Sequence, residues 1–576
     1  MHLPDLNFSK RMTKQYSARI LLLLLCGFLV AIYACNAPEK PKPVEIVKKP
    51  EDLNKKVNEN IADIVAYITD TDNKGILNDS VSFSQPGFIK KWYADREALR
   101  TWSLEKQWTP VADSLLGFIK NSESFGLFPA DYHYVQLKSI HHALKTDSTA
   151  MKDAVLWARA DIMLTDAFVQ MAKDVKIGRL RHDSITLRKD TLFNDSLGMV
   201  LLQKVQQENR ITGVMESLEP SYKEYHAIRE ALKGFLDSMD RKEYTYIIYP
   251  FEDSAVFLTQ LRVRLYEGKY IASDTPPADT AGIAEAVGQF EADKGLKVDG
   301  KAGPAVVGEL NNTDAEKFKR IAINLDRYKL MPDSMPVRYA MVNLPAYRLE
   351  VWDNDTLRIA SRVIVGNPKT RTPVLTSELT NFIIFPQWTV PMSIIFKEML
   401  PQIQRKVEYL DKQNLMVVDR NDSIIDPHTI NWFRLNKNNF PYQLKQREGD
   451  DNSLGVIKFN FRNKYSVYLH DTNARWLFSK KERALSHGCV RVQEWKKLYQ
   501  YLVKNDSVRY KPDTLNAWMK RKEKHTVAFS KRLPIYIRYF TCGTKDGSII
   551  MYDDIYAEDK LIREQYLYNR KVLASL

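Results

Sequence analysis

The sequence predicts a multidomain α+β protein: a helical scaffold, a small helical module, and a mainly-β domain with a helical cap insertion. Three observations predict it. The 576 residues are several times the ~100–200 of a typical domain, so three to five compact units are expected. Apolar residues recur at three- and four-residue spacing through the first half of the chain, then alternate from Val337 onward. The composition, 44% hydrophobic and 27% charged, is that of globular protein and excludes collagen-like, disordered and polytopic membrane classes. Four cysteines in so long a chain exclude a disulfide scaffold.

At the N-terminus, Lys10, Arg11, Lys14 and Arg19 precede an uncharged run over 20–34, and Cys35 follows. A basic stretch before a short apolar core reads as a secretory signal over 1–34. The run is shorter than the ~20 residues that a spanning helix needs. Ala34-Cys35 resembles the processing site of a bacterial lipoprotein, with Tyr33 departing from the usual small residue; Cys35 would then carry the lipid. The other reading is an uncleaved signal anchor. Both predict a membrane-anchored protein of the cell envelope, with its bulk on the periplasmic side. Cleavage would remove four basic residues and Asp5, lowering the formal net charge of +14 by three. Nucleic acid is not an expected partner, because the chain is exported and its Lys and Arg residues are scattered. The basic excess acts only as a diffuse field toward an anionic wall or membrane surface. Residues 35–58, with Pro38, Pro41 and Pro43, read as an extended tether.

Residues 59–250 read as a helical scaffold, as in "AVLWARADIMLTDAFVQMAKDVKIGRL". Nothing there groups residues for chemistry. His141 and His142 are adjacent, so in a helix they point ~100° apart and make a poor metal pair. Residues 251–315 form a smaller unit, with two helical patterns around a turn-rich middle and a last helix opened by Asp299-Gly300 and Gly303-Pro304. Asp-Gly steps favour positive φ in tight turns. With Leu261, Leu265, Ala286, Val287, Phe290, Gly295, Leu296 and Leu310, this unit resembles the small helical peptidoglycan-binding module of wall enzymes. A structural helical hairpin is the plainer alternative.

Residues 316–576 form the last unit. Strands from Val337 break at Asp353-Asn354 and end at Gly366-Asn367-Pro368. The pattern turns helical and polar over 397–450, the cap insertion, and then returns to strands in "LGVIKFNFRNKYSVYLHD". A closing strand pair is predicted around Lys545-Asp546-Gly547.

The chemistry is concentrated in "YLHDT", from Tyr468, and "SHGCVRV", from Ser486. A strand end carrying histidine and a loop carrying Gly-Cys suit thiol acyl transfer: the thiolate attacks a carbonyl, and an imidazole moves the proton. Gly488 lets the backbone approach the substrate, so that N–H groups beside Cys489 can hold an oxyanion. Spacing alone does not choose between His470 and His487 as the base. A zinc site from His470, His487 and Cys489 with Asp471 lacks any repeated short ligand spacing. An inert buried cysteine, the common fate of a lone Cys, fits poorly with so polar a run.

His470, fifteen intervening residues and then Ser486-His487-Gly488-Cys489 resemble the signature of the L,D-transpeptidase (YkuD-type) catalytic domain. Val490-Arg491 matches its large YcbB-like branch, where most other members have a hydrophobic residue and asparagine. Further matches are 342–346, 365–368, 385–391, Leu454-Gly455 and Lys458-Phe459. The order of scaffold, wall module and capped catalytic domain is also that of the branch, so the likeness covers nearly the whole mature chain.

The resemblance implies Cys489 as nucleophile and His470 as its base. Tyr468 and the backbone at Gly488 and Cys489 would be oxyanion contacts, and His487 a loop-shaping or substrate-side residue. Trp388, Arg491 and Ser486 would line the substrate site, with Arg491 gripping a stem-peptide carboxylate. The group orienting His470 is Asp471 or a backbone carbonyl. Neither metal nor organic cofactor is implied. The implied reaction joins peptidoglycan stems by a 3→3 cross-link through a thioester, releasing D-alanine, with sensitivity to carbapenems. Stem peptides and wall-synthesis proteins are the expected partners. The rival functions are L,D-carboxypeptidase, protein-to-wall attachment by the same thioester, and a non-catalytic wall-binding protein.

Overall fold

The computed structural model describes residues 39–570 except 79–80, 95–99, 181–192, 273–279, 333, 505, 507–508 and 568–569. The signal segment and Cys35 lie outside the described residues. Among the described residues no helix is long and apolar enough to cross a membrane.

Helix α1 (Leu53–Ile68) buries Leu53, Val57, Ile61, Ile64, Val65 and Ile68, the single stripe that three- and four-residue spacing produces. It rests on α2 (Ala154–Ile177), which is buried on nearly all sides. Three carboxylates lie inside that core because each answers donors that would otherwise be orphaned. Asp161 accepts from the Tyr93 hydroxyl at 2.7 Å and the Trp102 N–H at 2.8 Å. Asp166 accepts from the N–H groups of Ser84 and Gln85, and Asp174 from the Tyr132 hydroxyl. The tether expected over 35–58 is corrected here. The Glu45 N–H donates to Asp153, Val47 is buried, and α1 begins at Leu53. The segment has few large apolar residues, but they fall at the spacing that one helix face requires.

The next unit follows α3 (Lys223–Ser238) and consists of α4 (Ser254–Glu267), α5 (Thr280–Asp293) and α6 (Pro304–Leu310). Its own core includes Phe257, Leu261, Leu265, Val287, Phe290 and Leu310. Gly300 sits at φ +66°, and buried Glu291 accepts its N–H and that of Asp299. The turn thereby gains a carboxylate anchor.

Helix α7 (Asp314–Lys329) joins the helical half to the sheet. Toward the scaffold, Asp326 receives Arg179 at 2.8 Å and Lys329 at 2.9 Å, and Phe318 meets Phe128 edge-on. Toward the sheet, Tyr328 stacks on Phe540 at 4.1 Å, and Asn324 exchanges hydrogen bonds with Thr541.

The C-terminal domain begins with β1 (Arg338–Asn343), β2 (Arg348–Asp353), β3 (Thr356–Gly366) and β4 (Leu375–Ile384). The β2–β3 turn uses Asn354 and Asp355, both at positive φ, as a two-residue hairpin favours. An insertion follows with β5 (Trp388–Thr389), β6 (Leu415–Val418), β7 (Ile424–Ile425) and β8 (Gln443–Gln446). These make a separate sheet of order β7-β6-β8-β5, covered by short helices over 392–405 and closed on a core of Ile395, Leu400, Ile403, Trp432 and Leu444. The cap therefore has strands as well as helices and starts at Trp388.

The main sheet continues with β9 (Ile457–Phe461), β10 (Leu469–His470), β11 (Ala484–Ser486), β12 (Val490–Val492) and β13 (His525–Arg538). Its order is β11-β3-β12-β10-β9-β4-β13-β1-β2, and β2 pairs back onto β3 to close it. The interior holds Phe382, Phe459, Leu469, Val490 and Val527. The hairpin of β14 (Cys542–Lys545) and β15 (Ser548–Met551) turns at Asp546-Gly547. Cys542 is a free, buried thiol.

Candidate active site

Strand register assembles the site. Strands β10 and β12 are parallel, with Leu469 opposite Val490 and His470 opposite Arg491. Strand β9 runs antiparallel on the other side of β10 and sets Lys458 opposite His470. Paired residues share a face and alternate along the strand, so Leu469, Phe459 and Val490 enter the core. Lys458, His470 and Arg491 form a row on the other face. Tyr468, two residues before His470, and Cys489, two before Arg491, share that face one step along. The Val490 N–H to Tyr468 carbonyl bond at 3.1 Å ties the two strands there. Cys489 lies beside Tyr468 and diagonal to His470.

The loop before Cys489 is braced from inside. The Ser486 hydroxyl donates to the Cys489 carbonyl at 2.6 Å and accepts the Gly488 N–H at 3.1 Å. Gly488 has φ +118°, a backbone that only glycine adopts without strain. The Ser486 carbonyl accepts the Asn367 N–H and the Thr370 hydroxyl, and the Gly488 carbonyl accepts the Thr372 hydroxyl. Tyr556 in turn donates its hydroxyl to Gly366 and accepts the Thr372 N–H. A Cβ on Gly366 would lie 2.2 Å from the Thr370 carbonyl, so this tight return after β3 requires glycine.

Electrostatics keeps both Cys489 and His470 neutral. Burial first, and then the facing Arg491, push the His470 imidazole down to about 3. Among the described residues its Nδ1 finds no hydrogen-bond partner. Burial raises the Cys489 thiol above its ordinary value, opposed by the backbone and hydroxyl of Tyr468 and by Lys458 and Arg491. The Tyr468 phenol is raised by burial, with its hydroxyl within hydrogen-bonding reach of both Cys489 and Trp388. It also makes an edge contact with the His470 ring, at 5.6 Å between centroids.

Tyr468, His470, Gly488, Cys489, Arg491 and Trp388 thus come together. Three expectations need correction. Ser486 is buried and braces the loop; its hydroxyl is used internally and is not a substrate contact. The Gly488 N–H is spent on Ser486, so it is not a free oxyanion donor. Asp471 turns its carboxylate away from the site, to Arg475 and to the Val456 N–H at 3.1 Å. His487, the rival base, points its Nε2 to Glu398 of the cap at 2.7 Å. Among the described residues no three His, Cys, Asp or Glu side chains gather as a metal set.

The sequence reading missed Thr372 and Tyr556. Thr372 follows the Gly-Asn-Pro turn that the reading did mark, whereas Tyr556 carries no local signal.

Comparison with known proteins gives two domains. The family described as the L,D-transpeptidase catalytic domain matches residues 337–509, and the family described as the Scaffold domain matches residues 87–232. A Haemophilus influenzae protein provisionally named L,D-transpeptidase is 34% identical over 244 residues, 42% of this chain and 49% of that protein. The chain thus spans about half the length of that curated relative. Among solved structures, an L,D-transpeptidase from Stackebrandtia nassauensis is 13% identical, covering 51% of this chain and 93% of its own, with a TM-score of 0.17. Mycobacterium tuberculosis L,D-transpeptidase 1 is 12% identical, covering 35% and 61%, with a TM-score of 0.14. At those TM-scores neither likeness supports an argument about this site.

Proposed function

Residues 337–509 are an L,D-transpeptidase catalytic domain behind a scaffold domain, and on that premise we propose that the protein is a cysteine acyltransferase that forms 3→3 cross-links in peptidoglycan. The observation that carries the reading is the shared face of Tyr468, His470, Cys489 and Arg491, set by the parallel register of β10 and β12.

The reaction is two acyl transfers. The Cys489 sulfur attacks the carbonyl of the third residue, a diamino acid, in a tetrapeptide stem, and the thiol proton passes to His470. A neutral imidazole at pH 7 has the lone pair to receive it, and among the described residues Nδ1 has no other hydrogen-bond partner. The Tyr468 hydroxyl faces the developing oxyanion. Collapse breaks the bond to D-alanine, whose amine takes the proton from His470. An amine of a neighbouring stem then attacks the thioester, giving the new peptide bond and restoring the thiol. The cap contacts the nucleophile loop through Glu398 and His487 and excludes water, favouring amine over hydrolysis. Carbapenems acylate the same sulfur. The unit over 251–315 holds the wall, and a lipid on Cys35 or a signal anchor holds the protein to the membrane on the periplasmic side.

Incubation with defined tetrapeptide muropeptides, followed by mass analysis, tests the reading. Cross-linked dimers with loss of one D-alanine are expected, and they disappear in Cys489→Ala. Tripeptide alone would make the protein an L,D-carboxypeptidase, and no product from the wild type would overturn the proposal.

A further inference from the structure

Lys458 is a cation without an evident task inside the site. It lies on β9 between the core residues Ile457 and Phe459 and faces the opposite way, across from His470. Its Nζ rests over the Tyr468 ring, 4.1 Å from the centroid. Among the described residues no carboxylate pairs with it. Asp471, next to His470 in sequence, is engaged with Arg475, and Glu398 of the cap with His487.

Across His470, Arg491 is in the same condition. Among the described residues its side chain makes a single long hydrogen bond, to Thr472 at 3.5 Å, and its buried Nε has no partner. Removing a cation from water without an anion or acceptor is costly, so the row holds cationic capacity that the protein itself leaves unused. Neighbouring strands are ~4.8 Å apart, and the two long side chains start two strand spacings from each other. They can converge on one anionic group over the imidazole.

Given the function proposed above, on which this inference rests, we propose that Lys458 is a specificity residue that binds a free carboxylate of the donor stem together with Arg491. The donor supplies such a group beside the attacked bond. The carboxylate of the leaving residue is one residue, ~3.8 Å between α-carbons, beyond the carbonyl that Cys489 attacks. Where the diamino acid is a dicarboxylic one, its side chain carries a second carboxylate with the same chemistry.

Steady-state acylation of Cys489, read by mass, is compared for three peptides: the tetrapeptide acid, its C-terminal amide, and the peptide amidated on the diamino acid side chain. Wild type is expected to prefer the full acid by tenfold or more in kcat/KM over one of the two amides, and that amide identifies the carboxylate. In Lys458→Met the preference collapses toward one, mainly through KM, and Lys458→Arg restores it. Wild type that discriminates against neither amide overturns the inference without any variant. So does a Lys458→Met protein that keeps the full preference. Wild type that acylates none of the peptides overturns the functional reading itself.

Discussion

The Ser486 hydroxyl reaches over the turn to the carbonyl of Cys489, three residues on, while holding the Gly488 N–H. Cys489, the proposed nucleophile, is therefore held by a side chain whose hydroxyl is used within the loop. In Ser486→Ala both bonds vanish, each worth ~0.5–1.5 kcal/mol. The expected result is a ten- to hundredfold fall in kcat with KM little changed, measured by initial rates on muropeptides.

The pH dependence of the free thiol follows from its surroundings. Burial holds Cys489 above the ordinary thiol range, and His470 titrates only near 3, so the two do not form a thiolate–imidazolium pair at neutral pH. Thiolate then grows as protons are withdrawn. Alkylation of Cys489 by iodoacetamide is expected to rise steadily from pH 6 past pH 9, with no acid limb between pH 5 and 7. An apparent pKa below 7 would contradict this electrostatic picture.

Stability carries its own signature in the scaffold. Burial raises Asp174 from 3.8 to about 6, against the opposing pull of Arg179. A carboxyl with a higher pKa folded than unfolded binds a proton more tightly when folded, so its contribution is full below pH 4 and lost as pH rises through 6. That loss amounts to about 3 kcal/mol at most. Urea unfolding from pH 4 to 7 should show this slope, and Asp174→Asn should flatten it.

Gly455 sits at φ +61°, and a Cβ there would fall 2.3 Å from the Asp471 Oδ2. Gly455→Ala is expected to destabilise the catalytic domain by about 2 kcal/mol or more, from backbone strain and displacement of a buried carboxylate. Asp471→Ala strands the Val456 N–H and costs about 1–3 kcal/mol. Thermal unfolding reads both, and residual turnover in folded Asp471→Ala should exceed that of His470→Ala.

Glu398 and His487 are both about half exposed, at 52% and 44% of their side chains, so their pairing adds ~1 kcal/mol or less to stability. Its effect lies in how the cap closes on the loop. Glu398→Ala is expected to leave the melting temperature nearly unchanged while raising the ratio of hydrolysed to cross-linked product. An unchanged ratio removes the cap from the choice of acceptor.

The change of period at Val337 and the His470–Cys489 spacing were legible because both are local patterns of residue type. What the pattern could not show was direction. Spacing left His470 and His487 equal as bases. The register of β10 against β12 puts one in the row with Arg491, and the cap draws the other to Glu398. Asp471 and Ser486 looked functional by adjacency, but strand alternation and loop closure turned their polar atoms inward. Tyr556 was invisible because its bond to Gly366 closes across 190 residues. The strands of the cap were read as helix because two- and four-residue strands carry too little alternation to register.

Parallel pairing has one more effect. Strands that run the same way cannot be joined by a tight turn, so the chain between His470 and Cys489 must travel from one end of the sheet to the other. Both ends of that passage are anchored, by Arg475 on Asp471 and by the Ser486 brace, but its middle, 479–482, is exposed. The stretch is thus a natural splice point: a reporter peptide inserted between Lys480 and Lys481 would leave the strand pairing of the site untouched.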